Sequence, residues 1–104
     1  MAASALRSLA RRVRHIPNVL QFTCEAQSPS SHMTTLLGFL EYRIQGNVMD
    51  LRRTYVLPEG RGGGVAKALC EEAFHYAEAR NLTIRPSCSY VAEKYVKRQS
   101  SGAL

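Results

Sequence analysis

The stretch Thr54-Tyr55-Val56-Leu57-Pro58-Glu59-Gly60-Arg61-Gly62-Gly63-Gly64-Val65-Ala66-Lys67 decides how this chain is read. Strand-forming residues run up to Leu57, Pro58 stops them, and Glu59-Gly60 turns the chain. Arg61-Gly62-Gly63-Gly64 then opens a helix over Val65 to Arg80. Its Ala66, Leu69, Cys70, Ala73, Phe74 and Ala77 recur at helical spacing, with Glu71, Glu72, His75 and Glu78 on the other side. Asn81 suits the C-terminal end, because Asn tolerates the left-handed conformation. Three consecutive glycines put no side chain between the backbone and a ligand. The first N–H groups of the helix lack intrahelical partners, and the helix dipole adds positive charge there. Phosphates bind such ends, and Arg61 and Lys67 add full charges. The alternative is a flexible turn that lets a strand meet a helix. Two phosphate signatures are excluded. No Gly-Lys pair exists for a Walker loop, and a Gly-x-Gly-x-x-Gly fingerprint begun at Gly60 meets Val65 at its last glycine, with Arg80 where the ribose acid belongs.

Upstream, the period changes from 3.6 to 2. Residues 18–25 read as a strand with Leu20, Phe22 and Cys24 on one face. Residues 26–35 read as a loop around Pro29, and residues 36–44 as a second strand. Gln45-Gly46-Asn47 fits a tight hairpin into a third strand over 48–57. Downstream, Leu82 to Arg85 is a short strand that Pro86 ends, and Tyr90 to Arg98 a short last helix. The expected fold class is α+β: an antiparallel meander, then helix, strand and short helix, in the order β-β-β-α-β-α.

The chain has 104 residues, room for one domain. A hydrophobic fraction of 45% with 21% charged residues is ordinary for a packed core and argues against wholesale disorder. No run of uncharged apolar residues is long enough to span a bilayer. The net charge of +6 is unevenly placed: Arg7, Arg11, Arg12 and Arg14 carry four of the excess charges, so the rest is nearly neutral. That weakens the case for nucleic-acid binding made by the overall basicity. Residues 1–14 lack acids and have Leu6, Leu9, Ala10 and Val13 at helical spacing, which suits a mitochondrial transit peptide or a disordered basic tail. The expected organisation is this tail, a domain over 15–98, and a frayed end over 99–104. Cys24, Cys70 and Cys88 are an odd, widely spaced set, with no metal or disulfide pattern. They indicate a reducing intracellular compartment: mitochondrial if the tail is a targeting segment, otherwise cytoplasmic or nuclear.

Five segments, in order, resemble the GNAT acetyltransferase superfamily, and in particular its small single-domain N-acetyltransferase-like branch. They are Leu40-Glu41-Tyr42-Arg43, Val48-Met49-Asp50-Leu51, Thr54-Tyr55-Val56, Arg61 to Ala66, and Pro86-Ser87-Cys88-Ser89-Tyr90-Val91. Arg61-Gly62-Gly63-Gly64-Val65-Ala66 matches the superfamily's acetyl-CoA loop, R/Q-x-x-G-x-G/A. The resemblance covers residues 13 to 98. It implies an abbreviated GNAT fold that takes acetyl-CoA as co-substrate and an amine as acceptor, a protein lysine or a small molecule. It implies that the backbone of Arg61, Gly62, Gly63, Gly64, Val65 and Ala66, with Lys67 beside them, holds the pyrophosphate. Thr54, Tyr55 and Val56 would run along the pantetheine. Cys88 would be the catalytic residue, as nucleophile or as a group orienting the acceptor. The chain departs from the branch at Arg53, where the family has His, and at Gly63, where it has a larger residue.

Cys88 has a physical case of its own, since it follows Arg85 and precedes a helix, and both favour a thiolate. Cys24 and Cys70 fall on apolar faces and read as core. Glu41 and Asp50 stand on adjacent strands, where cross-strand pairing with Arg43 or Arg52 is preferred to a role as base. Tyr90 reads as core, or as a hydrogen-bond donor near the thioester. Two competing functions are a non-catalytic acyl-CoA or protein-binding module and a basic nucleic-acid binder.

Overall fold

The computed structural model describes residues 10–28 and 33–96. Five strands form one sheet in sequence order: β1 (Ala10–Ile16), β2 (Gln21–Gln27), β3 (Thr34–Gln45), β4 (Val48–Val56) and β5 (Thr83–Arg85). The first four are antiparallel neighbours, and β5 is parallel to β4. A parallel pair needs a crossover, and helix α1 (Val65–Ala79) supplies it.

The β3–β4 hairpin turns at Gly46-Asn47 with Gly46 at φ 60°, as its sequence predicts. Helix α1 ends at Ala79, and Asn81 just beyond it is left-handed at φ 57°. One sheet face is dry. Phe22, Cys24, Leu40, Tyr42, Met49 and Leu51 lie on it, against Leu69, Cys70, Ala73 and Ala77 of α1. Each fully buried Leu or Met here stabilises by roughly 1.5–3 kcal/mol. No helix covers the other face among the described residues.

Two β-bulges decide what each face carries. Gly38 pairs with Cys24 and Leu36 with Glu25, so Leu37 is the extra residue and its side chain drops into the core at 2% exposure. Glu41 pairs with Arg53 and Tyr42 with Leu51, so Arg52 is the extra residue on β4. This second bulge turns both Arg52 and Arg53 to the open face and returns Thr54 and Val56 to the helix face. Gly38 lies where β4 and α1 press closest. A Cβ there would stand 2.7 Å from the Tyr55 carbonyl oxygen and 2.9 Å from Val65 Cγ1.

The α+β class and the sequence meander, helix, strand stand as expected, but the meander has a fourth strand. Residues 10–14, read as tail, are most of β1, and the expected boundary at residue 14 falls inside it. Val13 pairs with Cys24 and packs on the core; Arg14 pairs with Thr23 and makes an ion pair of 3.5 Å with Glu25. Residues 1–9, the rest of the expected tail, lie outside the described residues. The strand expected over 18–25 begins only at Gln21, because Pro17–Val19 form a 3-10 turn and Leu20 is left-handed at φ 57°. The expected loop over 26–35 shrinks from both ends as β2 runs to Gln27 and β3 starts at Thr34; Pro29 lies outside the described residues. The last helix, expected over Tyr90 to Arg98, begins at Ser89–Tyr90 and is π-helical over Val91–Val96; residues 97–104 lie outside the described residues.

Candidate functional site

The site is set by where two parallel strands part. β5 pairs with β4 only over Val48–Asp50. Pro86 follows, with Ser87 N–H bonded to the Arg85 carbonyl at 3.1 Å, and the chain kinks. Cys88 N–H then reaches the Leu51 carbonyl at 2.8 Å. Beyond this point, the far half of β4 faces the glycine loop across a cleft of about 400 Å³. Val56 stands on one wall and Tyr90 on another, and Gly60 to Gly62 with Gly64 to Lys67 form the floor.

The loop is built to stay open. Gly62 and Gly64 are left-handed at φ 81° and 77°, a conformation that costs glycine nothing. A Cβ on Gly64 would meet nothing within 4 Å, whereas one on Gly60 would stand 2.8 Å from the Leu37 carbonyl oxygen. Gly60 is thus small for packing, and Gly64 for backbone conformation and access. No side chain caps α1 and no acid stands in its first turn, so the N–H groups of Val65, Ala66 and Lys67 face the cleft without an anionic competitor. The Arg61 guanidinium is tied back to β4, its Nε donating to the Val56 carbonyl at 3.1 Å. From β1, Arg11 donates to the Gly63 carbonyl, joining the far edge strand to the loop.

Cys88 is 9% exposed, and its Sγ lies 3.5 Å from Thr54 Oγ1. Burial pushes its pKa up. Hydrogen bonds from the Thr54 side chain and from backbone N–H groups of Val91, Tyr90 and Thr54 outweigh that and hold it below the ordinary thiol value. The other thiols are the reverse case. Cys70 is pushed up to about 12, by burial first and by Cys88 and Glu71 after it. Cys24 is also raised, chiefly by burial. Both are core, as their positions in the sequence predict.

Of the residues expected at the site, Val56, Arg61, Gly62, Gly64, Val65, Ala66 and Lys67 line the cleft. Thr54 stands beside Cys88 instead, one pleat along the strand. Tyr55 departs from expectation: its side chain is on the open face, 44% exposed, its ring centroid 5.8 Å from that of Phe39. An alternating strand cannot aim Thr54, Tyr55 and Val56 one way. Gly63 does not line the cleft and serves as the acceptor for Arg11. Tyr90, read as core or as a donor near the thioester, lines the cleft, whereas the roles of Gly60 and Arg11 are not expected from the sequence. The last had no signal, because its partner is 52 residues away.

Arg53 is also on the open face. Its guanidinium lies 5.2 Å from the Phe39 ring centre and its Nε 3.5 Å from Glu41 Oε1. Glu41 therefore pairs with Arg53 rather than with Arg43 or Arg52, and also accepts from Gln21 at 3.2 Å. Among the described residues, no group of His, Cys, Asp and Glu is arranged to hold a metal ion, and no helix is long and apolar enough to cross a membrane.

Compared with known protein families, residues 27–103 match the model of the family described as GCN5-related N-acetyl-transferase.

Proposed function

We propose that this chain, which belongs to the GCN5-related N-acetyl-transferase family, transfers an acetyl group from acetyl-CoA to an amine. The observation that carries the reading is the open glycine loop at the start of α1, which lines a cleft with Val56 and Tyr90, while Thr54 and Cys88, two residues from each, lie 3.5 Å apart.

The residues present fit the cofactor. The N–H groups at the start of α1, with Arg61 and Lys67, suit a pyrophosphate. The stretch of β4 past Leu51, free of β5, suits a pantetheine arm laid along it like an added strand. Acetyl-CoA, when bound, supplies an activated acyl group as a thioester. The protein must orient it, polarise its carbonyl and take a proton from the amine. A backbone N–H of β4 near Val56 would do the polarising. Hydrogen bonds from Thr54 and from the backbone at Tyr90 and Val91 favour the thiolate of Cys88 and lower its pKa. The thiolate would either attack the thioester, releasing CoA as its thiolate, and then yield the acyl group to the amine, or accept the proton of an amine that attacks the thioester directly.

The test is calorimetric titration with acetyl-CoA and free CoA, beside a Gly64→Glu control. Binding of both, lost in the control, is expected. Binding of neither would overturn the reading. Turnover that survives Cys88→Ala at full rate would remove Cys88 from the chemistry. CoA binding with no turnover on any amine would leave a non-catalytic acyl-CoA binder.

A further inference from the structure

A second hollow of about 300 Å³ opens on the uncovered sheet face, at the end of the β3–β4–β5 ladder away from the cleft. It is lined by Arg43, Gln45, Val48, Asp50, Arg52 and Arg85. The register explains the gathering. Asp50 pairs with Arg43 across one strand boundary and with Arg85 across the other, so the three stand in one row. The β4 bulge turns Arg52 to the same side.

This cluster is not a closed set of ion pairs. No nitrogen of the three arginines lies within 4.0 Å of the Asp50 carboxylate among the described ion pairs. Arg43 instead donates to the Tyr42 carbonyl at 3.0 Å, which fixes its stem along the strand. Asp50 Oδ1 is buried without a hydrogen-bond partner. Buried carboxylate oxygens are ordinarily satisfied, so this one is open to a donor. Three exposed guanidinia around one unsatisfied carboxylate leave a net positive hollow with a single negative point in it.

We propose that this hollow binds a small molecule carrying an acid group, carboxylate or phosphate, together with an amine. The guanidinia take the acid group in their planar forks, and Asp50 takes the amine. Asp50 precedes Leu51, whose carbonyl accepts from the Cys88 N–H, but its row opens on the sheet face opposite the helix.

The test follows backbone amide shifts of the full chain by NMR, without acetyl-CoA, against O-phosphoethanolamine, γ-aminobutyrate and inorganic phosphate. Saturable shifts over residues 43–52 and 83–85 are expected with at least one amine-bearing probe, and the tighter of the two identifies the acid group. Arg85→Gln and Arg43→Gln should each weaken binding about tenfold, with the fold checked by the unshifted remainder of the spectrum. Asp50→Asn should weaken the amine-bearing probe and leave inorganic phosphate unchanged. No saturable shift at these residues, shifts confined to residues 61–67, or equal binding of inorganic phosphate and phosphoethanolamine would overturn the proposal. The proposed transfer fails separately, by loss of acetyl-CoA binding, with these shifts intact.

Discussion

Replacing Thr54 by valine tests the chemistry of Cys88 with little change of shape. The hydroxyl of Thr54 is 3.5 Å from the sulfur. Beside a thiol it accepts from S–H; beside a thiolate it donates. A hydrogen bond to a charged group is worth about 1.5–3 kcal/mol and one between neutral groups about 0.5–1.5 kcal/mol. The difference, roughly 1–1.5 kcal/mol, acts on the thiolate alone. At about 1.4 kcal/mol per pKa unit, Thr54→Val raises the Cys88 pKa by about one unit. At a pH below both values, the thiolate fraction falls about tenfold. Little solvent discount applies, because Cys88 is only 9% exposed.

The assay is the rate of iodoacetamide alkylation against pH, read at each cysteine by peptide mass analysis. Cys88 should react first, with a midpoint below that of a free thiol. Cys70, pushed up to about 12 and buried, should stay unmodified in the native protein. Thr54→Val should move the Cys88 midpoint up, and Thr54→Ser should bring it back. An unchanged midpoint in Thr54→Val, or Cys24 reacting ahead of Cys88, would refute the account of Cys88 as a prepared thiolate.

Arg11→Gln frees the Gly63 carbonyl from an exposed cation, and exposed charged contacts are worth about 0.2–1 kcal/mol, so acetyl-CoA affinity should fall about two- to fivefold by calorimetry with stability nearly unchanged. Gly38→Ala forces a Cβ against the Tyr55 carbonyl and Val65, and should cost about 1–3 kcal/mol in chemical denaturation. The His15 pKa is lowered, by burial first and then by Arg80. The folded state therefore binds fewer protons than the unfolded one between the lowered value and about 6.5. Stability should fall as pH drops below about 6.5, and His15→Gln should flatten that slope in thermal melts. The neutral ring stacks on Phe22 at a centroid distance of 4.4 Å, so the variant also loses some baseline stability, which the slope comparison does not count.

The helix and the β3–β4 hairpin were legible because their determinants are local: apolar residues at helical spacing, and Gly46-Asn47 between two alternating runs. Strand β1 was not. Arg11-Arg12-Val13-Arg14-His15 offers one aliphatic residue among cations, and a helical pattern from Leu6 to Val13 overlays it. What makes it a strand is supplied by β2: Cys24 under Val13, Phe22 under His15, Glu25 to pair with Arg14. The same distance in sequence separates the parts of the site. The glycine loop was readable as one segment. The contacts Thr54 with Cys88 and Arg11 with Gly63 span 34 and 52 residues, and no local pattern announces them. The outward side chain of Tyr55 has a different origin, since the bulge at Arg52 shifts which residues of β4 face the helix.

That bulge also decides where Arg53 points. With Arg52 extra, Arg53 points to the open face, toward Glu41 and Phe39, while Thr54 points to Cys88. Successive strand residues face opposite ways, so a side chain at 53 cannot reach the sulfur that Thr54 touches. The groups that lower the Cys88 pKa are Thr54 and the backbone at Tyr90 and Val91, and none of them depends on residue 53. Arg53→His should therefore leave the alkylation midpoint of Cys88 where it is. Its effect is confined to the open face, where the side chain is 64% exposed and where the Arg43–Asp50–Arg85 row also lies. A shifted Cys88 midpoint in Arg53→His would mean that the two faces of β4 communicate, and that the bulge does not separate the thiol from the open face.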